Sequence, residues 1–198
     1  YYYKLGGLEI EAPYKDGVVN GVVKEYYELG LGGGLMREVP YKDDKIDGVA
    51  KVYDKNGNLM RETSYKDDKI DGVEKVYDKN GGLEIEVPYK DDKIDGVAKA
   101  YYKNGNLMQE VPYKDHKKDG IAKWYYENGE LRAGIVFHGE GYAVSAKCSN
   151  GKNANLYYFN SSHSYSFSPK RSYISGSNHS SSTIFFYNDW IDDLCGRE

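Results

Sequence analysis

Tyrosine returns along this chain at Tyr26, Tyr53, Tyr77, Tyr101 and Tyr125, with Trp124 beside the last. A row of such rings offers large contact area at low entropic cost, and suits a peptide, a glycan or a partner strand. The same rings also serve as core if each covers a leucine partner, and that reading is the stronger one for this series. A second set is acidic. Asp43, Asp44 and Asp47, with their copies from Tyr65 and Tyr89, place three carboxylates in each of these polar turns. Calcium takes such oxygens where a glycine turns the loop. Lys42 and Lys45 are interleaved here, however, and the spacing matches no calcium loop, so solvated turns and no metal are expected. A third set is His163, His179 and Cys148, which invite a zinc or nucleophilic reading. No CxxC, HExxH or GxSxG accompanies them and the serines are compositional, so neither an enzyme nor a cofactor is expected.

What positions these residues is a repeat. The text Tyr65-Lys-Asp-Asp-Lys-Ile-Asp-Gly recurs from Tyr41 and Tyr89, and from Tyr113 with His116 and Lys118 substituted, a period of 24 residues, and residues 40–51 and 88–99 are identical. An older copy starts at Tyr14, with about three extra residues in Leu29–Gly34, and Tyr2–Pro13 is half of an earlier one. A fixed period of this length signals stacked supersecondary units. Each copy has two turn signals. Asp54-Lys55-Asn56-Gly57 ends in Asn-Gly, the strongest short hairpin signal, and Asp67–Gly72 reads as a longer polar loop closed by glycine. Two runs of about six residues lie between them, strands of ~20 Å, and nothing carries a helical period.

A three-residue loop Lys55-Asn56-Gly57, its glycine left-handed, pairs Tyr53 with Leu59 and Val49 with Thr63. The residues held across copies, the Val49, Tyr53 and Leu59 series, then share one face. In that register Lys51 meets Arg61, an unfavourable like-charge pair, relieved where Lys75 faces Ile85 and Lys99 faces Gln109. One hairpin is marginal alone, so copies must stack. At ~4.8 Å per strand the array extends ~10 Å per copy, giving an elongated, single-layer antiparallel sheet with a tyrosine-rich face.

The pattern Tyr-Lys-Asp-Asp-Lys-x-Asp-Gly-x-x-Lys-x-Tyr-x-x-Asn-Gly-x-Leu, carried by Tyr41, Gly48, Tyr53, Gly57 and Leu59 and their equivalents, resembles the MORN repeat. The likeness is to a bacterial variant found in antitoxin-like proteins, and it covers residues 1–137. Only Gly17 matches the early glycine of the eukaryotic form; Asp44, Asp68 and Asp92 replace it elsewhere. The resemblance implies a meander of hairpins used for binding or spacing, without catalytic residues.

At Phe137 the period stops, dividing the chain into a repeat array, 1–137, and a serine- and aromatic-rich segment, 138–198. The latter holds thirteen of fourteen serines, both cysteines and three of four histidines, and is charge-neutral. Gly141–Ala146, Asn155–Phe159 and Ser182–Trp190 read as strands around a serine-rich stretch, Ser161–Ser182. Because an array ends in an open edge, this segment is either a cap or a disordered or anchoring tail. Cys148 and Cys195 bracket it and form a disulfide if the protein is exported, closing a loop worth ~4 kcal/mol in chain entropy.

The chain carries a net charge of −4 and a pI of about 5.7, which argues against a nucleic-acid partner. Hydrophobic residues make up 39% and mean hydropathy is −0.77, so the apolar surface is thin and largely aromatic. The expectation is a non-catalytic interaction or spacer module, binding a protein through its tyrosine-rich sheet at a bacterial surface, in the periplasm or after secretion. The start at Tyr1 fits a removed leader and a cut chain equally. Two alternatives stay open: an intracellular, cytoplasmic antitoxin-like binder, which the resemblance suggests, and a membrane-surface scaffold, which the acidic pI weakens.

Overall fold

A computed structural model describes residues 7–31, 33–138 and 142–148. Among them the chain is strand and turn throughout, apart from one 3-10 turn at Leu29–Leu31 where the oldest copy carries its extra residues. Tyr14–Lys15 and Val18–Val19 pair by themselves, and the other strands form one antiparallel sheet. Five hairpins follow in chain order: Gly21–Tyr26 with Leu35–Lys42, Gly48–Tyr53 with Leu59–Lys66, Lys69–Tyr77 with Leu83–Lys90, Gly96–Tyr101 with Leu107–Lys114, and Gly120–Tyr125 with Leu131–His138. Ile10–Glu11 and Tyr142–Cys148 are the outer strands on this path. The all-β array of stacked 24-residue hairpins is therefore the fold.

The two turns of each copy differ in build. At the Asn-Gly turn, Gly57 is left-handed at φ +84° and its N–H donates to the Asp54 carbonyl at 3.0 Å, closing the expected three-residue loop. The Asp54 carboxylate accepts from the N–H groups of Asn56 and Asn58, both at 2.8 Å. Bonds from Asn58 first, then Asn56, hold its carboxyl below the usual range. The Asp-rich turn is not the longer loop expected. Lys66 pairs with Lys69, leaving only Asp67 and Asp68 between them, at φ +49° and +69°. Two consecutive left-handed residues make the turn whose twist matches the flanking strands, and aspartate tolerates that conformation better than most residues.

The expected register needs correcting by one residue. Tyr53 does face Leu59, but Val52 then faces Arg61, so Met60 is an extra residue in a β-bulge. Beyond it Val49 faces Ser64, not Thr63, and Lys51 faces Glu62, not Arg61. Likewise Lys75 faces Glu86 rather than Ile85, and Lys99 faces Glu110 rather than Gln109. The like-charge pair never forms.

One slip exchanges faces. The buried side carries Val87, Ala98, Val111, Ala122, Trp124, Ile135 and Phe137, together with the opening tyrosine Tyr113. Its counterparts in earlier copies are more polar: Thr63 and Glu74 are buried there, and Arg61 pairs with Glu74 at 3.4 Å. The core thus sits under the later hairpins.

Proline sets the rhythm of the strands. Pro40, Pro88 and Pro112 lack the N–H for a full ladder, and the strand opposite each breaks before a glycine, as at Lys93–Ile94 and Gly96–Tyr101. Where Ser64 replaces proline, Lys69–Tyr77 runs unbroken. Gly96 lies at φ +123°, and a Cβ there would stand 2.9 Å from Pro88 Cγ, whereas a Cβ on Gly57 would meet nothing within 4 Å. Gly57→Ala is therefore expected to cost ~1 kcal/mol from backbone strain alone. Gly96→Ala should cost ~2–3 kcal/mol, because strain and collision coincide. Urea midpoints of the two variants give the comparison; equal shifts would mean the proline contact adds nothing.

The array does not stop at Phe137. Tyr142–Cys148, close to the expected strand 141–146, pairs with Leu131–His138 with Ile135 opposite Ala146 and Ala133 opposite Cys148. The further strands expected at 155–159 and 182–190, and the serine-rich stretch between them, lie outside the described residues.

Candidate functional site: the outer face and the turn clamps

The side of the sheet away from the core carries the repeated chemistry in three parallel rows. The central row is charged. Glu11, Lys24, Glu38, Lys51, Glu62, Lys75, Glu86, Lys99, Glu110 and Lys123 stand opposite one another in succession, acid against base on every strand. Lys123 Nζ lies 2.8 Å from Glu110, and Lys51 lies 3.9 Å from Glu62. Opposite-charge cross-strand pairs stabilise a sheet modestly, and alternation leaves the row without net charge.

The second row is the tyrosine series. Tyr53, Tyr77, Tyr101 and Tyr125 donate their hydroxyls to Glu38, Glu62, Glu86 and Glu110 of the preceding copy, at 2.9, 2.7, 2.6 and 2.9 Å. Tyr26 does the same to Glu11 at 3.1 Å. These rings are half-buried on the outer face, so they are ties between copies rather than the buried core. Trp124 belongs elsewhere. It is fully buried on the opposite side, because successive residues of a strand point to opposite faces, and it cannot join a ligand-facing aromatic row with Tyr125.

The third row is apolar and open. Val22, Val49, Val73, Val97 and Ile121 are 42, 45, 38, 44 and 56% exposed. Between the charged row and the Asn-Gly loops lies a notch of about 340 Å³ lined by Asn58, Leu59, Glu62, Tyr77, Lys79 and Asn80. Its origin is one substitution. Tyr27 and Tyr102 bridge to the next copy, their hydroxyls donating to the Tyr53 and Tyr125 carbonyls at 2.8 Å. Asp54 holds the equivalent place and folds back on its own loop, leaving the gap beside Tyr77.

The Asp-rich turns form a separate line along the sheet's edge. Asp68 Oδ1 accepts from Ile46 N–H at 2.8 Å while Asp68 N–H donates to the Ile46 carbonyl at 2.9 Å. Asp44 with Val19 and Asp92 with Ile70 repeat the clamp. The first aspartates of the turns take lysines of the previous copy: Asp91 meets Lys69 and Asp115 meets Lys93, each at 2.9 Å. The carboxylates that resembled a cation site are thus spent on stacking the copies, and among the described residues no group of three His, Cys, Asp or Glu could hold a metal ion. Asp68→Ala should cost ~1–2 kcal/mol, since it orphans the Ile46 N–H and puts a poor residue at positive φ. Asp68→Asn keeps both functions and should cost well under half as much. Thermal melts of the pair check this; equal losses would remove the clamp.

Cys148 is disulfide-bonded, while Cys195, His163 and His179 lie outside the described residues. The glutamates that receive the tyrosines escaped the sequence reading, although Glu38, Glu62, Glu86 and Glu110 recur in step with them. Among the described residues no helix is long and apolar enough to cross a membrane. No curated protein matches the chain at significant similarity. Residues 46–67, 70–91, 94–115 and 118–133, four consecutive stretches with one Asn-Gly-type loop each, match the family model of the MORN repeat variant.

Proposed function

We propose that this protein is a non-catalytic interaction module that engages a protein partner through the outer face of its sheet. The observation that carries this is the apolar row: β-branched side chains 38–56% exposed, retained in every hairpin on a face that the core does not need. Scattered exposed apolar residues are ordinary, but a contiguous row flanked by polar groups is the mark of a contact surface. The alternating charges beside it favour a neutral protein surface over nucleic acid or anionic lipid, both of which call for concentrated positive charge. MORN repeats in general serve as binding modules, which supports the same reading.

The test compares partners co-purified from native cells with the intact protein and with Val73→Lys/Val97→Lys, a variant that leaves the core untouched. Loss of a specific partner with an unchanged circular dichroism spectrum supports the outer face. Identical partner sets would overturn it, and co-sedimentation of the unaltered protein with anionic vesicles would move the assignment to a lipid surface.

We further infer an oxidising location, at a bacterial surface, in the periplasm or outside the cell, supported by the disulfide at Cys148. Non-reducing mass spectrometry of protein from its own compartment tests this. Two free thiols would favour instead the cytoplasmic, antitoxin-like alternative.

A further inference from the structure

The clamp that joins successive Asp-rich turns is built from aspartate three times and from histidine once. Asp44, Asp68 and Asp92 accept the N–H of Val19, Ile46 and Ile70 at 2.7, 2.8 and 2.8 Å. The fourth turn has His116 at that position. Its Nδ1 faces the Ile94 N–H at 3.3 Å, and its own N–H donates to the Ile94 carbonyl at 2.9 Å. Its φ of +68° matches those of Asp44, Asp68 and Asp92 at +66°, +69° and +67°, so the backbone of the turn is unchanged. Only the accepting group differs.

That difference has a chemical consequence. A carboxylate goes on accepting until the pH falls to about 4, whereas an imidazole nitrogen accepts only while unprotonated, and histidine changes charge between about pH 5 and 8. We propose that the joint between the turns 91–94 and 115–118 is a pH-sensitive hinge whose catch is the neutral imidazole of His116. Protonation turns Nδ1 into a donor facing another donor, so that bond is lost. The backbone bond from His116 N–H to Ile94 remains and serves as the pivot.

Other charged groups surround the joint, and burial pushes one of them, Lys118, down to about 7, so the test must separate it from His116. On the same turn stand Lys114, Asp115, Lys117 and Lys118; on the turn before it, Asp91, Asp92 and Lys93. Asp115 is 2.9 Å from Lys93 and Lys114 is 2.6 Å from Asp95. Lys93 first, then Lys114 and His116, hold the Asp115 carboxyl below the usual range, so it stays ionised. Asp92 is engaged by Ile70 N–H, and Asp91 by Lys69. Lys118 and His138 both stay in place in the variant used below, which separates them from His116.

The experiment is residue-resolved amide hydrogen exchange on the intact protein, expressed as protection relative to the unstructured amide. Between about pH 7.5 and 5, protection at Ile94 should fall about tenfold, the scale of one lost hydrogen bond, while Ile46 and Ile70 hold. His116→Asp restores the residue used by the other turns and leaves His138 in place, and in it Ile94 should behave as Ile70 does. A flat profile at Ile94 in the unaltered protein would overturn the proposal. So would an equal fall in His116→Asp, which would assign the effect to another group.

Discussion

Replacing Trp124 with alanine is expected to destabilise the protein by ~3–5 kcal/mol, the usual cost of deleting a large buried ring and leaving its cavity. Trp124 is fully buried and stands opposite Gln109, itself fully buried, in the cluster with Val111, Ile135 and Phe137. Its place in the repeat is held by Val52, Val76 and Ala100 in earlier copies, so one residue supplies volume that its predecessors lack. The neighbouring Tyr125 gives the control. Tyr125→Phe removes only the hydroxyl donated to Glu110 and should cost ~1 kcal/mol. Urea unfolding of both variants ranks the faces; a loss under about 1 kcal/mol for Trp124→Ala would mean that the later hairpins do not hold the core.

The contrast also shows what the sequence could reveal. Period, strand lengths, the Asn-Gly loop and the stacking were legible because each has a local signature: the recurring Tyr-Lys-Asp-Asp, the six-residue runs, the left-handed Gly57. The faces were not. Residues held across copies suggested a core, yet Val49, Val73 and Val97 are exposed, and buried positions are the ones that drift, from Ala50 to Glu74 to Ala98 to Ala122. Identity between copies marks here the contacts that each copy makes with the next, the Tyr77–Glu62 bond and the Asp68 clamp, which must recur whatever fills the interior. The bulge at Met60 was the decisive unseen event. It leaves no composition signal, since Met60 becomes Glu84 in the next copy, and it moves every residue beyond it to the other face. With the bulge in place, the unfavourable Lys51–Arg61 pair resolves into a continuous row of opposite charges. The tail was illegible for another reason: without a period to compare, a serine-rich stretch between short apolar runs gives no register at all.

The tyrosine row makes a second large effect, this one on pH. Burial first, and then the hydrogen bonds to Glu38 and Glu62, push Tyr53 and Tyr77 up to about 12 from the ordinary 10.0. Burial and Glu86 raise Tyr101 further still, and Tyr26 and Tyr125 are raised in the same order of causes. A phenol whose folded pKa exceeds its unfolded value keeps its proton longer in the native state. Its contribution is complete below about pH 10 and is lost as pH climbs toward the folded value. Because these tyrosines all tie one copy to the next, their losses fall together. The array should therefore hold its strand signal to about pH 10 and unfold cooperatively by about pH 12, with phenolate absorbance rising in step with the loss of structure. In Glu62→Gln the amide still accepts the hydroxyl of Tyr77 but no longer repels its phenolate, so part of that tyrosine's ionisation should move to lower pH. A gradual phenolate titration centred near 10 in the unaltered protein, with the sheet intact throughout, would show that the tyrosines do not tie the copies together.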